Sequence, residues 1–207
     1  MTDDSAPRIY LRTPEQVELS SFPDMLAAML DSHDIACLRL SLATRDEDEI
    51  CRIADALRAV AHACDVPLVL DDHARLATRL GLDGVHLTDG HRRVREVRKD
   101  LGKDAIIGSF CGASRHDGMT AAEIGIDYVS FGPVTATGLL DGGDPVEAGL
   151  FDWWSQMIEV PVVAEGGLTR DALGAIAPHV DFLCLGDEVW RSDNAPHVAL
   201  GALIAQL

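Results

Sequence analysis

Aromatic side chains are scarce in this 207-residue chain, forming 5% of it where hydrophobic residues form 47%. A core of that composition is built from Leu, Ile, Val and Ala, as parallel sheets prefer, and this leans towards an α/β fold. Positive charge is the second deficit: 17 Lys and Arg stand against 34 Asp and Glu, a formal net charge of −17. Nucleic acids, anionic membranes and other polyanions are therefore poor partners, because the field of the whole protein repels them. Tight binding of a diphosphate likewise needs local compensation. Paired cysteines are missing too. Cys37, Cys51, Cys64, Cys111 and Cys184 are odd in number and scattered, with no CxxC and no His/Cys metal spacing. They read as reduced, mostly buried small side chains of a cytoplasmic protein. No run of about 18 apolar residues occurs. The opening MTDDSAPRIY has no basic region leading into an apolar one, so neither export nor membrane insertion is expected.

What is present is alternation. Short apolar runs at 8–11, 36–42, 68–70, 84–87, 105–110, 128–132, 162–164 and 182–185 are separated by longer segments of helical period. The clearest helix is 46–64, where Ile50, Ile53, Ala54, Leu57, Val60 and Ala61 recur at three- and four-residue steps. Such alternation predicts right-handed βαβ units around a parallel sheet. Eight repeats close as a (β/α)₈ TIM barrel, one domain over 1–207. Asp or Pro precedes several strands (Asp65, Pro67, Asp83, Pro161), and Thr44, Thr169 and Asn194 are expected to cap helices. The loop 135–149 is long and holds four glycines and a proline; it reads equally as a lid over the site or a poorly ordered insertion.

In such a barrel, chemistry collects just past the C-terminal ends of the strands. Asp71-Asp72-His73 ends the third strand. Its adjacent carboxylates could hold Mg²⁺, an oxygen-seeking cation, or one of them could cap the next helix. His86 and Thr88-Asp89-Gly90-His91 end the fourth: His86 is in register with core positions and reads equally as a satisfied barrel histidine, which makes Asp89 or His91 the better metal ligand. Ser109 at the end of the fifth strand could donate to a ligand, whereas Cys111, without a paired base, reads as packing. Thr135 and Thr137 after the sixth strand could reach a phosphate or stabilise the turn. Gly166-Gly167 after the seventh strand and Gly186-Asp187 after the eighth carry most weight, because glycines there let backbone N–H groups approach an anion. A Trp153-Trp154 pair on the sixth helix fits either an exposed dimer face or ordinary packing.

The motifs, taken in order, resemble the thiamine phosphate synthase family, which includes the TenI-like proteins. The matching stretches are IYLRT, VPLVLDDHARLATRLGLDGVHL, LGKDAIIGSF, IGIDYVSFGPVTAT and VPVVAEGGLT, spread over nearly the whole chain. The resemblance implies a barrel that forms a homodimer and joins a hydroxymethylpyrimidine diphosphate to a thiazole phosphate, with Mg²⁺ and cationic side chains holding the diphosphate. It places the metal at Asp72 with Asp89 or His91, and catalysis is expected at Asp71, Asp72 and His86. Substrate and phosphate contacts fall to Arg39, Ser109, Thr135, Thr137, Gly166, Gly167 and Gly186.

The chain also departs from the family pattern. Arg39-Leu40-Ser41-Leu42-Ala43 stands against the family's Gln-Leu-Arg-Glu-Lys, so two diphosphate-binding cations are missing at Ser41 and Ala43. Leu140 replaces a lysine. Glu165 and Asp187 flank the anion site, where each close like-charge pair costs roughly 1–4 kcal/mol. Pro133 stands where a TenI-like tautomerase carries histidine. Two other readings follow: a regulatory barrel that binds a small ligand without turnover, or an enzyme using its paired carboxylates as acid and base on another substrate.

Overall fold

Each of the eight apolar runs forms a strand, and a helix follows each one. The computed structural model describes residues 6–136 and 144–207. Strands β1 (Arg8–Arg12), β2 (Ile35–Leu40), β3 (Leu68–Asp71), β4 (Gly84–Leu87), β5 (Ile106–Phe110), β6 (Tyr128–Phe131), β7 (Val162–Glu165) and β8 (Phe182–Leu185) pair in parallel and in sequence order. The barrel closes where β8 meets β1. Helices α1 (Phe22–Ser32), α2 (Glu47–Ala63), α3 (Ala74–Leu80), α4 (Val94–Leu101), α5 (Arg115–Ile124), α6 (Ala148–Met157) and α7 (Arg170–Ile176) connect successive strands. The chain ends with a one-turn α8 (Asp187–Trp190) and α9 (Pro196–Ile204). Among the described residues no helix is long and apolar enough to cross a membrane.

The Asp-before-strand pattern has a physical cause. Asp83, Asp127 and Asp181 each turn a carboxylate back onto the first N–H groups of the preceding strand, accepting from Leu68 at 2.7 Å, Ile107 at 2.7 Å and Val162 at 2.8 Å. These bonds satisfy donors at the lower rim that the sheet leaves unpaired. Helix starts depart from expectation in two places. Asp46, not Thr44, caps α2 by accepting from Asp48 and Glu49 N–H, while Thr44 supports Asp46. Thr169 caps α7 through Ala172 N–H. Asn194 caps nothing: α9 opens on Ala195 and Pro196, whose ring fixes the first helical φ.

Strand side chains alternate between the barrel interior and the layer under the helices. Tyr10, Val69, Tyr128, Val163 and Cys184 fill the lower interior as a cluster distinct from the larger apolar layer outside the strands. Tyr128 can cross the barrel only because position 108 is glycine: a Cβ there would lie 1.9 Å from its ring. The cysteines correct the expectation in part, since Cys111 and Cys184 are buried while Cys37, Cys51 and Cys64 are partly exposed.

The tryptophan pair divides as well. Trp154 is fully buried against Phe131 and donates Nε1–H to Val160 O at 2.8 Å, so it is not part of an exposed face. Trp153 is half-buried beneath the Arg115 guanidinium, 4.1 Å from its ring centre. Trp154→Ala is expected to cost about 3–5 kcal/mol. Trp153→Ala should cost about 1 kcal/mol, the scale of a half-exposed cation–π contact. Urea unfolding of the two variants checks the contrast.

Candidate functional site

At the C-terminal end of the barrel a cavity of about 260 Å³ opens between β1, β2, β7 and β8, its walls including Arg12, Arg39, Glu165, Gly166, Gly167 and Gly186. Its floor is Arg39, 5% exposed, which the period-two register of β2 turns inward. Its guanidinium donates to both oxygens of Asp71, at 2.6 and 3.2 Å, and to Glu165 Oε2 at 2.7 Å. Burial disfavours the charge, but Asp71 and then Glu165 outweigh it and hold the Arg39 pKa well above its ordinary value. The fork of Arg39 thereby ties β2 to β3 and to β7.

Above Arg39 the walls are glycine. Gly166 and Gly167 adopt left-handed φ of 80° and 69°, a conformation that only glycine takes without strain. Gly186 lies so close to Arg12 that a Cβ would come within 2.7 Å of its Nε. Arg12 donates to Asp187 Oδ2 at 3.1 Å, and Arg191 Nε stands 3.3 Å from Asp187 Oδ1. Glu188 accepts from Leu168 N–H and from Gly186 N–H, both at 3.0 Å. Thr135 donates its hydroxyl to Gly167 O at 2.7 Å and so joins the loop after β6 to the loop after β7. Thr137, Leu140 and the middle of the 135–149 loop lie outside the described residues; its far end, from Ala148, is already α6.

A second cluster sits on the rim between β3 and β4. Asp72 takes the left-handed φ of 58°, a conformation in which Asp is tolerated. Its carboxylate accepts from Thr88 N–H at 3.1 Å, from Thr88 Oγ1 at 2.6 Å, and from Arg93. Arg93 also donates to Asp89 Oδ2 at 2.7 Å. The guanidinium therefore lies between the two carboxylates read as metal ligands, while His91 is turned towards Asp117, 3.3 Å away. Among the described residues no group of three or more His, Cys, Asp or Glu is arranged to hold a metal ion. With Arg93 there, these residues do not fit Mg²⁺, although Asp89 Oδ1 is buried without a partner.

His86 and Ser109 belong to neither cluster. His86 is fully buried inside the barrel, the β4 register partner of Asp71, with Nδ1 2.9 Å from Tyr128 Oη, which itself lies 2.6 Å from Tyr10 Oη. Burial, then the charges of Arg39 and Arg12, push its pKa well below the ordinary value, so the ring is neutral at pH 7. Among the described residues its Nε2 finds no partner, and neither does the buried Ser130 Oγ on β6. Ser109 pairs with Leu87 in the outward register, its Oγ 3.6 Å from Cys111 Sγ, so it faces the helices and not the cavity. Burial raises the Cys111 thiol to about 11 and Cys37 to about 12, which leaves both protonated and poor nucleophiles.

Four residues placed at these clusters escape the sequence reading, Glu188 among them. Arg12 follows Tyr10 at the period-two step of β1, while Arg93 and Arg191 lie four residues after Asp89 and Asp187. The four-residue spacing was the available signal.

A closed parallel barrel with an arginine- and glycine-lined cavity over β7 and β8 places the chain in the class of (β/α)₈ barrels, whose sites lie at the strand tops. The family model described as "Thiamine monophosphate synthase" matches residues 9–188. The chain is 38% identical to a thiamine-phosphate synthase of Rhodospirillum centenum, covering 93% of this chain and 94% of that one. It is 35% identical to one of Hyphomonas neptunium, covering 99% and 97%. A solved thiamine phosphate pyrophosphorylase of Pyrococcus furiosus shares the fold at a TM-score of 0.80 and 19% identity, over 96% of each chain. The chain belongs to the thiamine monophosphate synthase family.

Two outcomes follow from this geometry. Above about pH 6.5 neutral His86 adds no pH dependence to folding. Below that value the unfolded chain takes a proton that the buried ring refuses, so stability falls by up to about 1.4 kcal/mol per pH unit. Urea unfolding at about pH 7.5 and about pH 5.5 should show that loss, and His86→Gln should remove this part of it. Arg39→Gln leaves Glu165 and Asp71 without their cation and is expected to cost about 3–5 kcal/mol. Arg93→Gln, a partly exposed bridge, should cost less than about 1 kcal/mol; equal losses would overturn the ranking.

Proposed function

We propose that the protein catalyses the reaction its family is named for. A hydroxymethylpyrimidine diphosphate loses pyrophosphate, and the ring nitrogen of a thiazole phosphate bonds to the methylene carbon left behind. The observation that carries this reading is the family match over 9–188 together with Arg12, Arg39 and Arg191 around one glycine-walled cavity. Departure of a diphosphate from a pyrimidine leaves negative charge on the leaving group, and preorganised cations aimed at that charge are the chief means of stabilising it. Asp71 and Glu165 hold Arg39 in one orientation, and the glycine turns admit the thiazole's phosphate to the backbone of the β7 and β8 loops. His86, neutral and buried, lies under this layer as support. Arg93 bridges Asp72 and Asp89, the carboxylates that would ligate a metal ion, so the charge on the leaving group is met by arginine.

A second reading, ligand binding without turnover, is favoured by one observation: Arg12, Arg39 and Arg191 are all engaged by Asp187, Asp71 or Glu165. Incubation of the full chain with both substrates and added Mg²⁺ separates the two readings. Thiamine phosphate and pyrophosphate should form in equal amounts. Saturable calorimetric binding of either substrate with no product would replace the synthase with a binding module.

A further inference from the structure

Barrels of this class frequently seat a phosphate on the loops after the seventh and eighth strands. In this chain two amides of those loops are already engaged by one side chain. Glu188 Oε1 accepts from Leu168 N–H on the β7 loop, and Oε2 accepts from Gly186 N–H at the end of β8, each at 3.0 Å. One carboxylate thus spans both loops, an oxygen to each, as two oxygens of a phosphate would. The cations beside it are matched in the same manner: Asp187 engages Arg12 and Arg191, and Asp71 and Glu165 engage Arg39. Glu188 thus takes two of the cradle's N–H donors, one from each loop.

We propose that Glu188 is a specificity-determining residue that occupies the phosphate seat and must turn out of it before a phosphorylated ligand binds. The inference deepens the reading of this cavity as the ligand site and rests on it. A carboxylate and a phosphate draw on the same N–H donors and repel each other, so they cannot share them. Phosphate alone is a weak ligand for such a site. A larger substrate contributes the remaining contacts that displace Glu188, which discriminates against free phosphate and small phosphate esters.

The test uses inorganic phosphate as the probe, titrated calorimetrically into the full chain and into Glu188→Ala and Glu188→Gln. Removing the resident anion should tighten phosphate binding roughly tenfold or more in Glu188→Ala, the scale of hydrogen bonds to a charged group. Glu188→Gln, which keeps an acceptor but loses the charge, should gain less. In Glu188→Ala the amide resonances of Gly186 and Leu168 should move on adding phosphate. Equal affinity in the wild type and Glu188→Ala overturns the proposal, and so does a gain that leaves those amides unmoved. Thermal melts establish that each variant folds; should Glu188→Ala fail to fold, the same comparison is read on Glu188→Gln. The synthase reading fails separately: product formation absent from every variant, with the phosphate gain present, removes the activity but leaves Glu188 as the occupant of the seat.

Discussion

A single guanidinium organises the upper half of the barrel. Arg39 is almost wholly removed from water, a position in which an unpaired charge would cost several kcal/mol. Its bonds to Asp71 and Glu165 remove that penalty and join three strands that are not all neighbours. The interior is layered as a result. Tyr10, Val69, Tyr128, Val163 and Cys184 make a lower plug, the hydroxyls of its two tyrosines link it to neutral His86, and the ionic layer lies on top. Burial first, and then the charge of Arg39, keeps His86 uncharged.

The same logic of internal pairing extends around the rim. Arg93 stands between Asp72 and Asp89, Asp187 between Arg12 and Arg191, and Glu188 between two backbone amides. A protein with a formal net charge of −17 places Arg12, Arg39 and Arg191 around one cavity, and meets each of them with acid from its own chain. Family membership and ligand handling are therefore separable properties. The scaffold and the glycine turns are those expected of barrels that receive phosphate. Each arginine around them is already paired with a carboxylate of the same chain.

Much of the architecture was legible in the sequence because it rests on local pattern. Strand positions followed from short apolar runs, and α2 from its three- and four-residue repeat, both of which depend only on which side chains can be buried along one face. The asparagine expected to cap α9 failed because a following proline competes for the same local geometry. Trp154 could not be placed from its neighbour Trp153, since adjacent helix positions face about 100° apart and only the packing of α6 decides which is inside.

The candidate site divides along the same line. Sequence alone determined that Gly166, Gly167 and Gly186 lie at strand tops, that acids crowd them, and that Asp71 and Asp72 end the third strand. What only the tertiary structure decided is which charges meet. Arg39 reaches Glu165 across 126 positions of chain, and Arg12 reaches Asp187 across 175. Ser109 turns away from the cavity by the parity of one residue, and Glu188 closes on amides from two different loops. Period and composition fix where a residue stands along its own element. Barrel closure fixes which elements face each other, and charge pairing at hydrogen-bond range is set by closure.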